Sequence, residues 1–265
     1  MKTLPIGLFD SGMGGLTVMQ EVIRLLPNEP LIYLGDTARL PYGNKSPDAI
    51  LQFAWDNAQF LLEQKIKLLI VSCHTACAYA LSALQQTLPI PVIGVTNPGI
   101  RSLMDATQTK EVAVLGTSAT ISSGIFQTLL QSQTINVHAI ACPLFVPLVE
   151  EGLPNHPATK LIVEYYLAPL KKTAVDAVLL ACTHYPLLKI AIQEFLGPDI
   201  TLIEPAHSTA ANARQVLESR QLLNSSPLLS PYTFYASDDP EKFRRLATLF
   251  FPHPIDHVHF RSCLK

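Results

Sequence analysis

The feature that most limits what this chain can fold into is a recurrence of short apolar, β-prone runs. They lie at residues 6–9 (IGLF), 31–34 (LIYL), 67–72 (KLLIVS), 91–95 (PVIGV), 111–115 (EVAVL), 135–140 (INVHAI), 176–181 (DAVLLA) and 200–203 (ITLI). Apolar character that is nearly continuous, rather than alternating, marks most of them as strands covered on both faces. Helical patterns lie between them. Ser46 can cap one helix with Pro47 in its first turn, and Asp239 with Pro240 can do the same near the C-terminus. Strands alternating with helices predict an α/β chain with largely parallel sheets. The stretch 224–231, rich in Ser and Pro, reads as a surface connection leading to an added strand at YTFYAS.

A weak internal repeat narrows the architecture further. IGLFDSG at 6–12 resembles VAVLGTS at 112–118, and LLIVSCHTA at 68–76 resembles AVLLACTHY at 177–185, with similar offsets. Two pseudo-symmetric, doubly wound domains account for this, residues 1–96 with 208–265 and residues 97–207. Their strand-end loops would face a shared cleft holding the active site. Chance likeness between buried strands is the plainer alternative.

Composition restricts the function classes. The chain is 48% hydrophobic and 15% charged with a formal charge of −2, so a large core is expected and no basic face is offered to nucleic acid or membrane. A small-molecule ligand fits better. No apolar run reaches membrane-spanning length, and Pro5 and Asp10 interrupt the N-terminus before a secretory stretch develops, which predicts a cytoplasmic protein. The five cysteines are sparse and odd in number, unlike a disulfide framework.

Cys73 and Cys182 each follow an apolar strand and precede a helical pattern. A helix N-terminus stabilises a thiolate through its free N–H groups and macrodipole, so either sulfur could act as a base. Taken singly each reads as a packing residue; the matched pair, flanked by Thr and His, favours chemistry. In GLFDSGMGGLTV, Asp10 and Ser11 end a strand and a glycine-rich turn opens a helix. Such a turn can cradle an anion, but the dinucleotide fingerprint and the phosphate-loop lysine are both missing. Asp10 could equally be a helix cap.

Seven blocks taken in order, FDSGMGGLTV, LGDTARLPYGNKS, SCHTA, PVIGVTNPG, GTSATISSG, CPLFVPLVEEG and ACTHYPLL, resemble the glutamate racemase family within the aspartate/glutamate racemases. The resemblance spans most of residues 6–188 and weakens after Glu204. It implies a reversible, cofactor-independent exchange of L- and D-glutamate that supplies D-glutamate for peptidoglycan, with no metal. Inverting Cα needs a base on one face and an acid on the other. By the family pattern Cys73 and Cys182 are that pair, with Asp10 and His184 beside them in proton management. Asp36 and Glu151 match acidic residues linked to the site, though Glu150 adjoins the second and both could be structural. Ser11, Pro41, Tyr42, Gly43, Thr75, Thr117, Thr120 and Thr183 match substrate-holding positions, along with Asp10, His74 and His184. Ser11 and Thr75 could also be caps, Gly43 a turn residue and Tyr42 a packing aromatic.

The sequence departs from the family at His74, where asparagine is usual and contacts substrate. Further departures, IEPAHST and YASDDPEKF, are expected to lie away from the thiol motifs. An aspartate or other acidic amino-acid racemase is the nearest competing enzyme. A weakly active binding or regulatory homologue is the competitor from another class. Some family members interact with DNA gyrase, a link nothing in this sequence supports. Members are often dimers, which makes a homodimer the expected assembly. Adjacent Cys-His pairs lack zinc-ligand spacing, and no lysine lies in the cysteine motifs for pyridoxal phosphate.

Overall fold

The computed structural model describes residues 1–226 and 232–263, so part of the Ser- and Pro-rich connection, 227–231, lies outside the described residues. The chain forms two compact units, Met1–Val95 with Ala206–Lys265, and Thr96–Pro205.

The first unit opens with β1 (Ile6–Asp10), α1 (Leu16–Leu25), β2 (Leu31–Gly35), α2 (Pro47–Glu63), β3 (Leu68–Val71), α3 (His74–Thr87) and β4 (Val92–Gly94). The second is made of α4 (Thr96–Ala106), β5 (Glu111–Gly116), α5 (Ser118–Ser122), α6 (Ile125–Gln131), β6 (Asn136–Ala141), α7 (Phe145–Glu150), α8 (Pro157–Leu167), β7 (Ala177–Ala181), α9 (Lys189–Leu196) and β8 (Thr201–Ile203). The chain then returns to the first unit through α10 (Pro205–Ser219), β9 (Tyr232–Ala236), α11 (Pro240–Ala247) and β10 (Val258–Phe260).

Every apolar run of the sequence is a strand, and both sheets are wholly parallel. The first runs β10-β9-β2-β1-β3-β4 and the second β6-β5-β7-β8. Strands β1, β2, β3 and β7 are buried at every residue, as two-sided cover requires. Burying such Leu, Ile and Val side chains contributes about 1.5–3 kcal/mol each. The second-unit edge strands β6 and β8 are only partly buried, because an edge has neighbours on one side alone. Ser46 caps α2, its Oγ accepting from Ala49 N at 3.3 Å, and Asp239 caps α11 through Glu241 N and Lys242 N at 3.0 and 3.1 Å. The added strand is β9, paired with β2. Strand β10 was not foreseen, because three residues, two of them exposed, carry no period-two signal.

The repeat has a topological basis. In each sheet the first strand is central, the second lies on one side of it and the third on the other, so the order reverses between β1 and β3 and again between β5 and β7. IGLFDSG and VAVLGTS are β1 and β5, and the two cysteine motifs follow β3 and β7. Open α/β sheets bind ligands outside the carboxyl ends of strands at such a reversal.

Candidate active site

In the first unit the register Asp10↔Gly35 and Phe9↔Val71 brings Asp10, Asp36 and Cys73 to one carboxyl edge of the sheet. Asp10 is fully buried and accepts from Ser11 N at 2.8 Å through one oxygen and Gly15 N at 2.5 Å through the other. The anion in the glycine-rich turn is therefore Asp10 itself. A Cβ on Gly15 would stand 2.8 Å from the Cβ atoms of both Asp10 and Ser72, which is why glycine is needed there. Tyr33 donates to Gly12 O at 2.8 Å, and burial, with the nearby charges of Asp10 and Cys73, pushes its phenol well above the usual range.

Cys73 is the buried N-cap residue of α3, and His74 and Thr75 begin that helix. His74 is 4% exposed, and neither ring nitrogen has a hydrogen-bond partner among the described residues; burial pulls its pKa down to about 3, so the ring is neutral at pH 7. The Ser72 hydroxyl is likewise buried without a partner there. Pro41 follows a cis peptide bond and Tyr42 and Gly43 lie in the next short 3-10 turn. Asp36, just past β2, is buried and accepts from Tyr42 OH, Arg39 Nε at 2.7 Å and Asn57 Nδ2 at 3.2 Å.

In the second unit Gly116 pairs with Ala181, so Thr117 and Cys182 emerge side by side from β5 and β7. Thr117 caps α5, and its hydroxyl lies 2.9 Å from that of Thr120. Cys182, Thr183 and His184 are buried. His184 Nε2 lies 3.0 Å from Glu150 Oε1 at the end of α7, whereas Glu151 is exposed beyond it. Burial alone would lower the His184 pKa, but hydrogen bonds and charge from Cys182 and Glu150 prevail and raise it to about 10. At pH 7 it is an imidazolium held between a sulfur and a carboxylate. Cys142 is buried nearby; burial and the Cys182 charge push its thiol upward, so it stays protonated.

Sequence reasoning chose Glu151 over its neighbour Glu150, whereas it is Glu150 that lies against His184 and Glu151 that is exposed; it also missed Cys142, Asn57 and Ser237. Ser237 belongs to YASDDPEKF, the segment read as lying away from the thiol motifs, and ties it to another candidate site residue, its Oγ donating to Asp36 Oδ1 at 2.8 Å. No local signal carries a contact between residues so far apart in sequence. Among the described residues no three His, Cys, Asp or Glu side chains converge to hold a metal, and no helix is long and apolar enough to cross a membrane.

Residues 6–213 match the Asp/Glu/Hydantoin racemase family. The chain belongs to that family. It is an amino-acid racemase, an isomerase. A glutamate racemase of Oceanobacillus iheyensis is 45% identical over 249 residues, covering 93% of this chain and 91% of its own length. The crystal structure of a glutamate racemase isoform from Bacillus anthracis superposes with a TM-score of 0.94 at 36% identity, covering 99% of both chains. The glutamate racemase of Francisella tularensis, solved in complex with D-glutamate, gives 0.92 at 37% identity, with 99% of this chain and 98% of that one covered.

Proposed function

We propose that this racemase interconverts L- and D-glutamate without a cofactor, using Cys73 and Cys182 as the two acid/base groups, and that in the cytoplasm it supplies D-glutamate for peptidoglycan. The observation that carries the reading is the equivalence of the two thiols: each directly follows the third strand of its sheet, or the residue after it, beside the reversal of strand order. One sulfur as thiolate removes the Cα proton from one face while the other, as thiol, delivers a proton to the opposite face. The reverse reaction starts from the other thiolate. Asp10 serves the Cys73 side. His184, an imidazolium anchored by Glu150, stabilises negative charge on the Cys182 sulfur. The Ser72 hydroxyl and the His74 ring nitrogens, buried beside Cys73 in sequence and without described partners, are polar groups that a polar ligand would satisfy. Ser11, Gly43, Thr75, Thr117, Thr120 and Thr183 supply further donors for carboxylates and amino group.

The test is incubation of reduced protein with L-glutamate in deuterated water, with L-aspartate in parallel. Cα-deuterated D-glutamate formed without added cofactor is expected. Cys73→Ala or Cys182→Ala should each lower net racemisation by about 10²–10⁴-fold or more while the fold persists. Full activity in either variant would sink the two-thiol mechanism, and exchange of aspartate alone would reassign the substrate.

A further inference from the structure

We propose that Asp36 is a positioning residue for the Tyr42–Gly43 turn, and that the C-terminal segment carrying Ser237, Arg261 and Cys263 completes its site and thereby sets how well substrate is held. This rests on the reading that Tyr42 and Gly43 contact substrate.

Five donors converge on Asp36. Arg39 Nε, Asn57 Nδ2 and the Tyr42 hydroxyl reach Oδ2, while Ser237 Oγ at 2.8 Å and the Cys263 thiol at 3.2 Å reach Oδ1. An ionised carboxylate offers about four lone-pair sites, so this one has none left for a substrate proton. The Tyr42 hydroxyl is committed as well. Its single proton goes to Asp36 and its oxygen accepts from Asn57 Nδ2 at 3.0 Å. A donor for a substrate carboxylate at Tyr42 must then come from the main chain, whose placement depends on where the phenol is pinned.

Asn57 is aimed by two guanidinium groups. Its Oδ1 accepts from Arg39 at 3.1 Å and from Arg261 Nη1 at 2.9 Å, which turns the amide nitrogen toward Asp36 and Tyr42. Arg261 is fixed in turn by Asp56 O at 2.8 Å, by the Phe60 ring 4.8 Å from its guanidinium carbon, and by its own N–H on Ala236 O at 2.8 Å. The last residues described thus hold a turn near residue 42 through one amide.

The first measurement needs no substrate: backbone hydrogen exchange over residues 37–45 in the full chain and in Arg261→Met, which keeps an apolar stem over Phe60 but loses both hydrogen bonds. Exchange should accelerate by about tenfold or more, while Arg261→Lys restores part of the protection. In the racemase assay Arg261→Met should raise KM for L-glutamate by about tenfold with kcat changed less than about threefold. Losing one hydrogen bond to a charged group commonly has an effect of that order or larger. Ser237→Ala removes a donor to Asp36 without disturbing β10 but also removes the acceptor of Ala38 N at 3.0 Å, so its exchange is read over residues 39–45 alone; there it should move both readouts the same way, and it takes over if Arg261→Met does not fold. Unchanged exchange over these residues in the folded variants would overturn the proposal, as would an unchanged KM beside a lowered kcat. If the unaltered protein does not act on glutamate, the glutamate reading falls and the exchange measurement still decides the positioning role.

Discussion

Two histidines next to the two thiols carry opposite protonation states, and each makes stability depend on pH with its own sign. The His74 pKa lies near 3 in the folded chain, against about 6.5 for an unperturbed ring. Between those values the unfolded state binds the extra proton, so stability is complete above about pH 6.5 and is lost as pH falls toward 3, by at most about 1.4 kcal/mol per unit. His74→Asn should therefore flatten the acid limb, which urea unfolding at pH 7 and pH 4.5 reads directly. Equal losses in variant and parent would show that the ring does not titrate in this way. The same variant should keep or raise glutamate turnover if asparagine serves the substrate better. The His184 pKa is raised to about 10, so its stabilising contribution is complete below about pH 6.5 and disappears as pH climbs through 10. Glu150→Gln removes one of the two groups that raise it and should make the alkaline decline shallower than in the parent. Glu151→Gln, altering an exposed side chain, should leave both the decline and turnover within about twofold. Matching alkaline slopes in the parent and Glu150→Gln would refute the pairing.

Strand β3 begins beside a buried ion pair that ties four stretches of chain together. Lys67 and Glu29 are paired at 2% and 1% side-chain exposure, Glu29 accepts from Asn224 N at 2.8 Å, and Lys67 also reaches Leu222 O at 3.0 Å and Lys2 O. Lys67→Met should cost about 3–5 kcal/mol in denaturant unfolding, because Glu29 is left as an uncompensated buried charge. Glu29→Gln with Lys67→Met should recover most of that loss; no recovery would mean that packing, not charge, matters there. At this scale most of the fold was legible. A strand such as LLIV, buried at every residue, has to be apolar throughout, and Ser46-Pro47 is a helix start that needs no tertiary context. The placement of candidate residues was legible where they sit at strand ends, as Cys73 and Cys182 do after β3 and β7. It was not legible where rotation about a helix decides: adjacent residues point about 100° apart, so Glu150 and Glu151 cannot be separated without the end of α7 in view. Nor was it legible where partners are distant in sequence, as Ser237 and Arg261 are from Asp36 and Asn57.

The second unit is one uninterrupted stretch of chain with its own core, in which Val112, Val114, Leu179, Phe126 and Leu130 pack together, whereas the first unit is made of two stretches. Residues 96–205 expressed alone should therefore show cooperative thermal unfolding, and residues 1–95 alone should not. Calorimetry of the two fragments decides, and a broad, non-cooperative melt for 96–205 would contradict the expectation. Residues 1–95 lack Leu222 and Asn224 at the buried ion pair and leave one side of β2 without β9. That last point bears on how the protein is made. On the ribosome, β2 emerges early, with LIYLG presenting an apolar row of unpaired N–H and C=O groups, and its neighbour β9 is translated only after the whole second unit. At about 5–20 residues per second that edge waits roughly 10–40 s, a window in which another nascent chain, or a chaperone, can reach it first.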